Sequence, residues 1–140
     1  MDLRIRPYEC RDREALVDLW IRCGLMVPSN NPDKDIARKL TDSPGLFLIG
    51  EQDGRVVASV MAGYEGHRGW LNYLAVDPDL QRSGIGRQMV SHAEDLLEKR
   101  DCPKVNLQVR STNAEVIAFY ETLGYTVEER VSMGKRLVVD

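Results

Sequence analysis

Cysteine is sparse in this chain and badly placed for either of its usual structural jobs. Cys10, Cys23 and Cys102 are odd in number and far apart, with no C-x-x-C. That argues against a disulfide frame or a zinc site and fits reduced thiols in a cytoplasm, the expected location. No apolar run approaches the ~20 residues a membrane span needs. The opening residues, Met1-Asp2-Leu3-Arg4-Ile5-Arg6, lack the apolar core of a secretory signal. Positive charge is not in excess: a net charge of −3 argues against general nucleic-acid binding, which wants a basic face. There is no internal repeat and no low-complexity segment. Two nucleotide motifs are also missing. Met89 stands where G-x-G-x-x-G would need its third glycine, and Gly86 is followed by Arg87 rather than the Lys-Ser/Thr of a P-loop. What remains is an ordinary globular composition in 140 residues, enough for one domain over 1–140 with a real core.

The most informative stretch is 70–100. A strand is expected over 70–76, followed by the turn Asp77-Pro78-Asp79-Leu80 and the loop Gln81-Arg82-Ser83-Gly84-Ile85-Gly86. A helix then runs to Arg100, with Ile85, Met89, Ala93, Leu96 and Leu97 on one face. A glycine loop that opens a helix presents backbone N–H groups with no acceptor inside the helix. The helix dipole adds partial positive charge, which suits a phosphate. Gly84 and Gly86 are expected to keep side chains out of the approach and to tolerate unusual backbone angles. Arg82 and Arg87 add charge-assisted contacts.

The rest of the chain alternates between strand and helix signals. Leu3 to Arg6 alternates as a short strand. Asp12 is a plausible N-cap for a helix through Cys23, ended by Gly24, with Ala15, Leu16, Leu19, Trp20 and Cys23 on one face. Asp33 or Asp35 begins a short second helix that Ser43-Pro44-Gly45 breaks. Residues 46–51 and 56–64 form a hairpin around Asp53-Gly54, and 70–76 completes a three-strand meander. Residues 105–109 alternate as a strand, and the crossover helix between makes them a right-handed parallel neighbour of 70–76. Ligands of α/β sheets sit beyond the carboxyl ends of parallel strands, here Val76 and Val109. Residues 113–123 form a last helix, with Thr112 and Glu115 spaced for a capping box and Gly124 ending it. A final hairpin pairs 125–131 with 135–139.

These residues resemble the GCN5-related N-acetyltransferase (GNAT) superfamily. Leu74-Ala75-Val76-Asp77-Pro78 leading into Gln81-x-x-Gly84-x-Gly86 is similar to its acetyl-CoA signature. The run from Asn113 through Phe119-Tyr120 to Leu123-Gly124-Tyr125 is similar to its second signature. The element order matches over essentially the whole chain. Residues 63–69 and Gly134-Lys135-Arg136-Leu137 look like the bacterial YpeA-type members. The resemblance implies an α/β (α+β) fold: a mixed, mostly antiparallel sheet of six to seven strands with a parallel central pair, and about four helices.

It also implies roles. Acetyl-CoA would be the acyl donor, with no metal, and an unidentified primary amine the acceptor, on a small molecule or a protein. Backbone N–H groups of Arg82, Ser83, Gly84, Ile85, Gly86 and Arg87 would hold the pyrophosphate. The backbone of Leu74, Ala75 and Val76 would pair with the pantetheine arm in a slot between splayed parallel strands. Asn113 would hydrogen-bond the pantetheine or acetyl region, or simply cap its helix. Tyr120 would bind near the sulfur and protonate the departing thiolate, or be a core aromatic. Direct attack by the amine needs no cysteine nucleophile. Some relatives carry a glutamate base where Gln108 stands, and Gln108 takes no proton. Glu65 is the candidate base in its place, His67 the second, with ordered water as the alternative; His92 reads as surface. Trp20 fits the core better than an acceptor pocket. The competing readings are a catalytically idle acyl-CoA-binding or regulatory module on the same fold, and a phosphate-binding module without CoA. A homodimer through the last hairpin or a sheet edge is compatible with the chain.

Overall fold

Apolar residues dominate both faces of the backbone over 46–49 and 56–62, the pattern of strands covered on both sides. These residues become the middle of the sheet. In the computed structural model, which describes residues 2–140, five strands lie in chain order: β1 (Arg4–Pro7), β2 (Phe47–Gln52), β3 (Arg55–Tyr64), β4 (Gly69–Val76) and β5 (Val105–Asn106). The first four are antiparallel neighbours, and β4 and β5 are parallel. Two helices, α1 (Arg13–Arg22) and α2 (Pro32–Asp42), cover one face. Two more, α3 (Ile85–Glu98) and α4 (Ala114–Thr122), cover the other. No helix among the described residues is long and apolar enough to cross a membrane.

Each face has its own core. Leu16, Leu19 and Trp20 of α1 and Ile36 of α2 pack on Phe47, Ile49, Met61 and Ala75. On the opposite side Ile85, Met89, Ala93 and Leu97, four of the five stripe residues expected on α3, are buried against Leu48, Val60 and Leu71. Trp20 is fully buried and stacked on Tyr73 at 4.0 Å, so the core reading of this residue holds. The Asp53-Gly54 turn closes β2 onto β3 with both residues at positive φ, 53° and 74°, as a two-residue hairpin turn demands.

Local details differ from expectation where a better partner was available. Asp12 precedes α1 but caps no helical N–H there. Its carboxylate takes both guanidinium N–H groups of buried Arg6, at 2.8 and 2.9 Å, and the Glu9 N–H at 2.8 Å. Asn31, not Asp33 or Asp35, caps α2, because Pro32 supplies the first helical residue. Asn113, not Thr112, caps α4 through the Val116 N–H at 3.2 Å.

The larger difference lies at the C-terminus. The sheet has five strands rather than six or seven, because 125–131 and 135–139 do not form a hairpin. The parallel pair is therefore at the edge of the sheet instead of its centre. Neither Met133 nor Gly134 adopts the positive φ of a two-residue hairpin turn. Asp140 is drawn to α2 instead, where Arg38 grips its carboxylate at 2.8 and 2.9 Å.

Candidate functional site

The site is built where β4 stops behaving as a regular strand. Between β3 and β4 the register shifts, so that Met61 faces Asn72 and Ser59 faces Ala75. Tyr73 and Leu74 thus oppose Val60 alone, and Tyr73 sits at φ 53°. This is a β-bulge, which bends a strand and redirects its backbone. A left-handed angle is uncommon for a tyrosine, and buried contacts hold it. The Ser59 hydroxyl donates to the Tyr73 carbonyl at 2.8 Å and accepts the Trp20 indole N–H at 3.0 Å. The Tyr73 hydroxyl donates to Asp35 at 2.6 Å and accepts from Asn30 at 3.3 Å. Burial, then the Asp35 carboxylate, push the Tyr73 phenol well above its ordinary pKa.

The β4–β5 ladder is short. It pairs Gly69 with Val105 and Trp70 with Asn106, and stops. Beyond Trp70 the β5-facing backbone of β4 has no strand partner, while the β3 side stays paired to Val76. The expected parallel pairing over 105–109 is thus confined to its first two residues, and the strands part toward their carboxyl ends.

The loop after β4 is exposed and uncapped. Asp77 is buried, with its carboxylate on the Asp79 N–H at 2.9 Å and on Arg22 at 3.1 Å. The Asp79 N–H and Arg22 outweigh burial and hold the Asp77 carboxyl below its usual range. A single 3₁₀ turn (Pro78–Leu80) follows, and Ser83 donates to the Leu80 carbonyl. Arg82 has φ 66° and Gly84 φ 87°, so the chain winds sharply before α3. The Gln88 N–H is the one that reaches the Gly84 carbonyl, at 3.1 Å, and no side chain caps the helix. The N–H groups of Ile85, Gly86 and Arg87 therefore lack acceptors within the helix. Ile85 anchors the turn by burying its side chain, while Arg82, Ser83 and Gly84 are exposed.

The two glycines serve different ends. Gly84 has open space where a Cβ would stand and is required for its left-handed angle. Gly86 has no such angle. A Cβ there would lie 3.0 Å from Phe119 Cζ and 3.6 Å from Val76. Gly86 is thus small so that α4 can close on the start of α3, and the unusual backbone angle expected of it is absent.

Tyr120 lies on α4 against this seam, 7% exposed, with its ring edge-on to Phe119 and Tyr125. Burial alone pushes its phenol up to about 12, so it is protonated at neutral pH. No buried side-chain polar atom among the described residues lacks a partner. The Tyr120 hydroxyl, which has no protein partner, therefore opens into the cavity it lines. That cavity, about 1380 Å³, lies along the outer side of 105–109 and also touches Gln108, Glu65 and His67.

The other expected residues are engaged by partners of their own. The Glu65 carboxylate is held by the backbone N–H groups of His67 and, at 2.7 Å, Arg68. It caps its own exposed turn, before the amino end of β4 and away from the bulge. The Gln108 amide donates to the Ser132 hydroxyl at 2.6 Å. Asn113 is exposed and uses its oxygen as the α4 cap. Arg87 leans toward the Thr122 carbonyl at 3.5 Å. Cys23 is half-buried, its thiol on the Val76 carbonyl at 3.3 Å, and burial raises its pKa. Ser59, Tyr73, Asp35 and Asn30 were not anticipated. A tyrosine in a strand carries no sign of a bulge, and the partners lie far off in sequence.

Residues 13–125 match the model of the acetyltransferase (GNAT) family. An acetyltransferase of Pectobacterium atrosepticum is 46% identical over 99% of this chain and 98% of its own length. A ribosomal-protein alanine N-acetyltransferase of Escherichia coli is 30% identical, with a TM-score of 0.74 over 88% of this chain and 77% of its own. An N-acetyltransferase of Thermoplasma acidophilum, solved with coenzyme A, shares the fold at a TM-score of 0.83 over 94% of each chain, with 19% identity.

Proposed function

Since the chain belongs to the GNAT acetyltransferase family, we propose that it moves the acetyl group of acetyl-CoA onto a primary amine by direct attack. The observation that carries this reading is the early end of the β4–β5 ladder beside an uncapped, exposed helix start. The free N–H groups from Arg82 to Arg87 receive the diphosphate. The unpaired side of Leu74, Ala75 and Val76 receives the pantetheine arm as an extra strand. Asn113 contributes its amide at the mouth of the slot.

A neutral amine attacks the thioester carbonyl, and a tetrahedral oxyanion forms. Backbone N–H groups at the bulge stabilise it, fixed in place before the reaction begins. The oxyanion collapses and expels CoA thiolate, to which Tyr120 gives its proton. An amine of ordinary pKa is largely protonated at neutral pH. Its proton passes to water, because Gln108 accepts none and Glu65 is engaged on its own turn. Asp35 offers a carboxylate to a cationic acceptor beside the bulge.

The E. coli neighbour supports an amine acceptor, since its name makes it an alanine N-acetyltransferase. The test is a panel of peptide N-termini, lysine peptides, polyamines, amino acids and aminoglycosides, followed by thiol release from acetyl-CoA. Tyr120→Phe is expected to bind CoA within twofold of wild type and to lose about 10²-fold in turnover. Unchanged turnover would remove Tyr120 as the acid. Calorimetry in which ATP binds as tightly as CoA would remove the pantetheine slot.

A further inference from the structure

Tyr73 holds a left-handed angle inside a strand, at φ 53°, and such strain concentrates at working sites. At this angle the ring lies on Trp20, 4.0 Å between centres, and the hydroxyl reaches two further elements. It donates to Asp35 of α2 at 2.6 Å and accepts from Asn30, in the link between α1 and α2, at 3.3 Å. A hydroxyl oxygen has two acceptor lone pairs, so one stays open on a side chain that is only half-buried.

Asp35 differs from the carboxylates near it. Asp33 is gripped by Arg13 at 2.7 and 2.9 Å, and Asp77 by Arg22 at 3.1 Å. Among the described residues the only ion pair of Asp35 is a loose one with Arg38, at 3.7 Å. That guanidinium is committed to Asp140, at 2.8 and 2.9 Å. The other side chains that face the pair, Trp20 and Asn30, are neutral. The Asp35 side chain is 25% exposed, so it is a carboxylate free to take a proton and open to solvent behind the phenol.

We propose that Tyr73 and Asp35 carry off the proton of the acceptor amine, a relay that rests on the acetyl-transfer reading above and supplies the base that Gln108 and Glu65 do not. Tyr73 immediately precedes Leu74, whose unpaired edge takes the pantetheine arm in that reading. With the donor held by α3 and α4 on one face of the sheet, the acceptor comes from the other, where Tyr73 packs beside Trp20. As nitrogen bonds to the thioester carbon, its N–H bond breaks and the electron pair stays on nitrogen. The water that takes this proton gives one of its own to the open lone pair of Tyr73, and Tyr73 passes its hydroxyl proton to Asp35 Oδ2. The phenol ends as it began, and Asp35 ends as a carboxylic acid that solvent deprotonates. Burial and the Asp35 carboxylate keep the phenol protonated between turnovers, so it gives up a proton only while receiving one.

Thiol release from acetyl-CoA tests it, with ethylamine and trifluoroethylamine as acceptors, two amines of similar shape and unlike basicity. Where ethylamine is too poor an acceptor, the fastest amine of the panel above takes its place. Tyr73→Phe keeps the ring on Trp20 and removes the hydroxyl, and Asp35→Asn keeps the outline of the carboxylate and removes its charge. Each should lose about 10²-fold in kcat with ethylamine but less than about threefold with trifluoroethylamine, whose nitrogen, once it attacks, yields its proton to water unaided. Calorimetry should find CoA affinity unchanged in both; if one variant loses it, the other decides, and loss in both overturns the relay by placing the pair in the donor slot. Wild-type turnover in either CoA-binding variant, or an equal loss with both amines, overturns the relay and leaves acetyl transfer standing. A wild type that acetylates no amine overturns acetyl transfer, and the relay with it.

Discussion

The sheet is closed on one side of β4 and open on the other. Up to β4, Asp53-Gly54 turns the chain tightly, and one ion-pair cluster is buried: Arg6 is clasped by Asp12 and by Glu51 at 2.8 Å. Beyond β5, Met133-Gly134 does not turn, and Lys104–Glu128 joins two partly exposed side chains. Both links are an X-Gly pair between segments expected to be strands. Asp tolerates a left-handed angle because its short polar side chain finds local hydrogen bonds, whereas Met has no such compensation. Of the two links, only the one with Asp before its glycine closes a hairpin.

The sharpest break in that contrast is expected at the buried pair. Asp12→Asn leaves the Arg6 guanidinium without its principal counter-charge and should cost about 3–5 kcal/mol, read as a fall in the denaturant midpoint at constant m-value. Burial pushes the Asp12 carboxyl up, but the Arg6 and Glu9 hydrogen bonds outweigh it and hold its pKa below the usual value. Its stabilisation is therefore complete above the unfolded-state pKa of about 3.9 and is lost as the pH falls through the lower folded-state value. Asp12→Asn should erase that part of the acid dependence.

A smaller effect is expected at the seam between α3 and α4. Gly86→Val drives a branched side chain into the Phe119 ring and should cost about 1–3 kcal/mol. It should also raise KM for acetyl-CoA by displacing the helix start. A Gly86→Val protein with unchanged melting temperature would show that α4 yields at no cost. The least effect belongs to the open side. Glu128→Gln removes an exposed ion pair and should leave the melting temperature unchanged. A clear fall there would make the two sides more alike than their burial indicates.

Much of the fold was legible before the structure, and for identifiable reasons. The helical stripe of α3, the Asp-Gly turn and the glycine loop are local signals, set by residues within a few positions of each other. The early end of the β4–β5 ladder was foreseen only through family likeness, because strand parting leaves no mark on alternation. The caps at Asn31 and Asn113 were misplaced by one to four residues, since several polar neighbours compete for the same free N–H groups. Glu65 looked available as a base, yet its nearest donors were the amides of its own turn. Ser59 and Tyr73 went unread because a bulge is a misfit between two strands, which neither strand displays alone.

On its own, the sequence determined an α/β fold, its helical faces, its closed hairpin and the glycine loop that opens α3, because each follows from spacing and backbone preference over short range. Only the tertiary structure decided that Gly86 is small for the sake of Phe119, that Trp20 and Ser59 hold the bulge, and that the last residues stay off the sheet. Those outcomes depend on atoms distant in the chain meeting in space, where packing and pairing choose among contacts that local preference leaves equal.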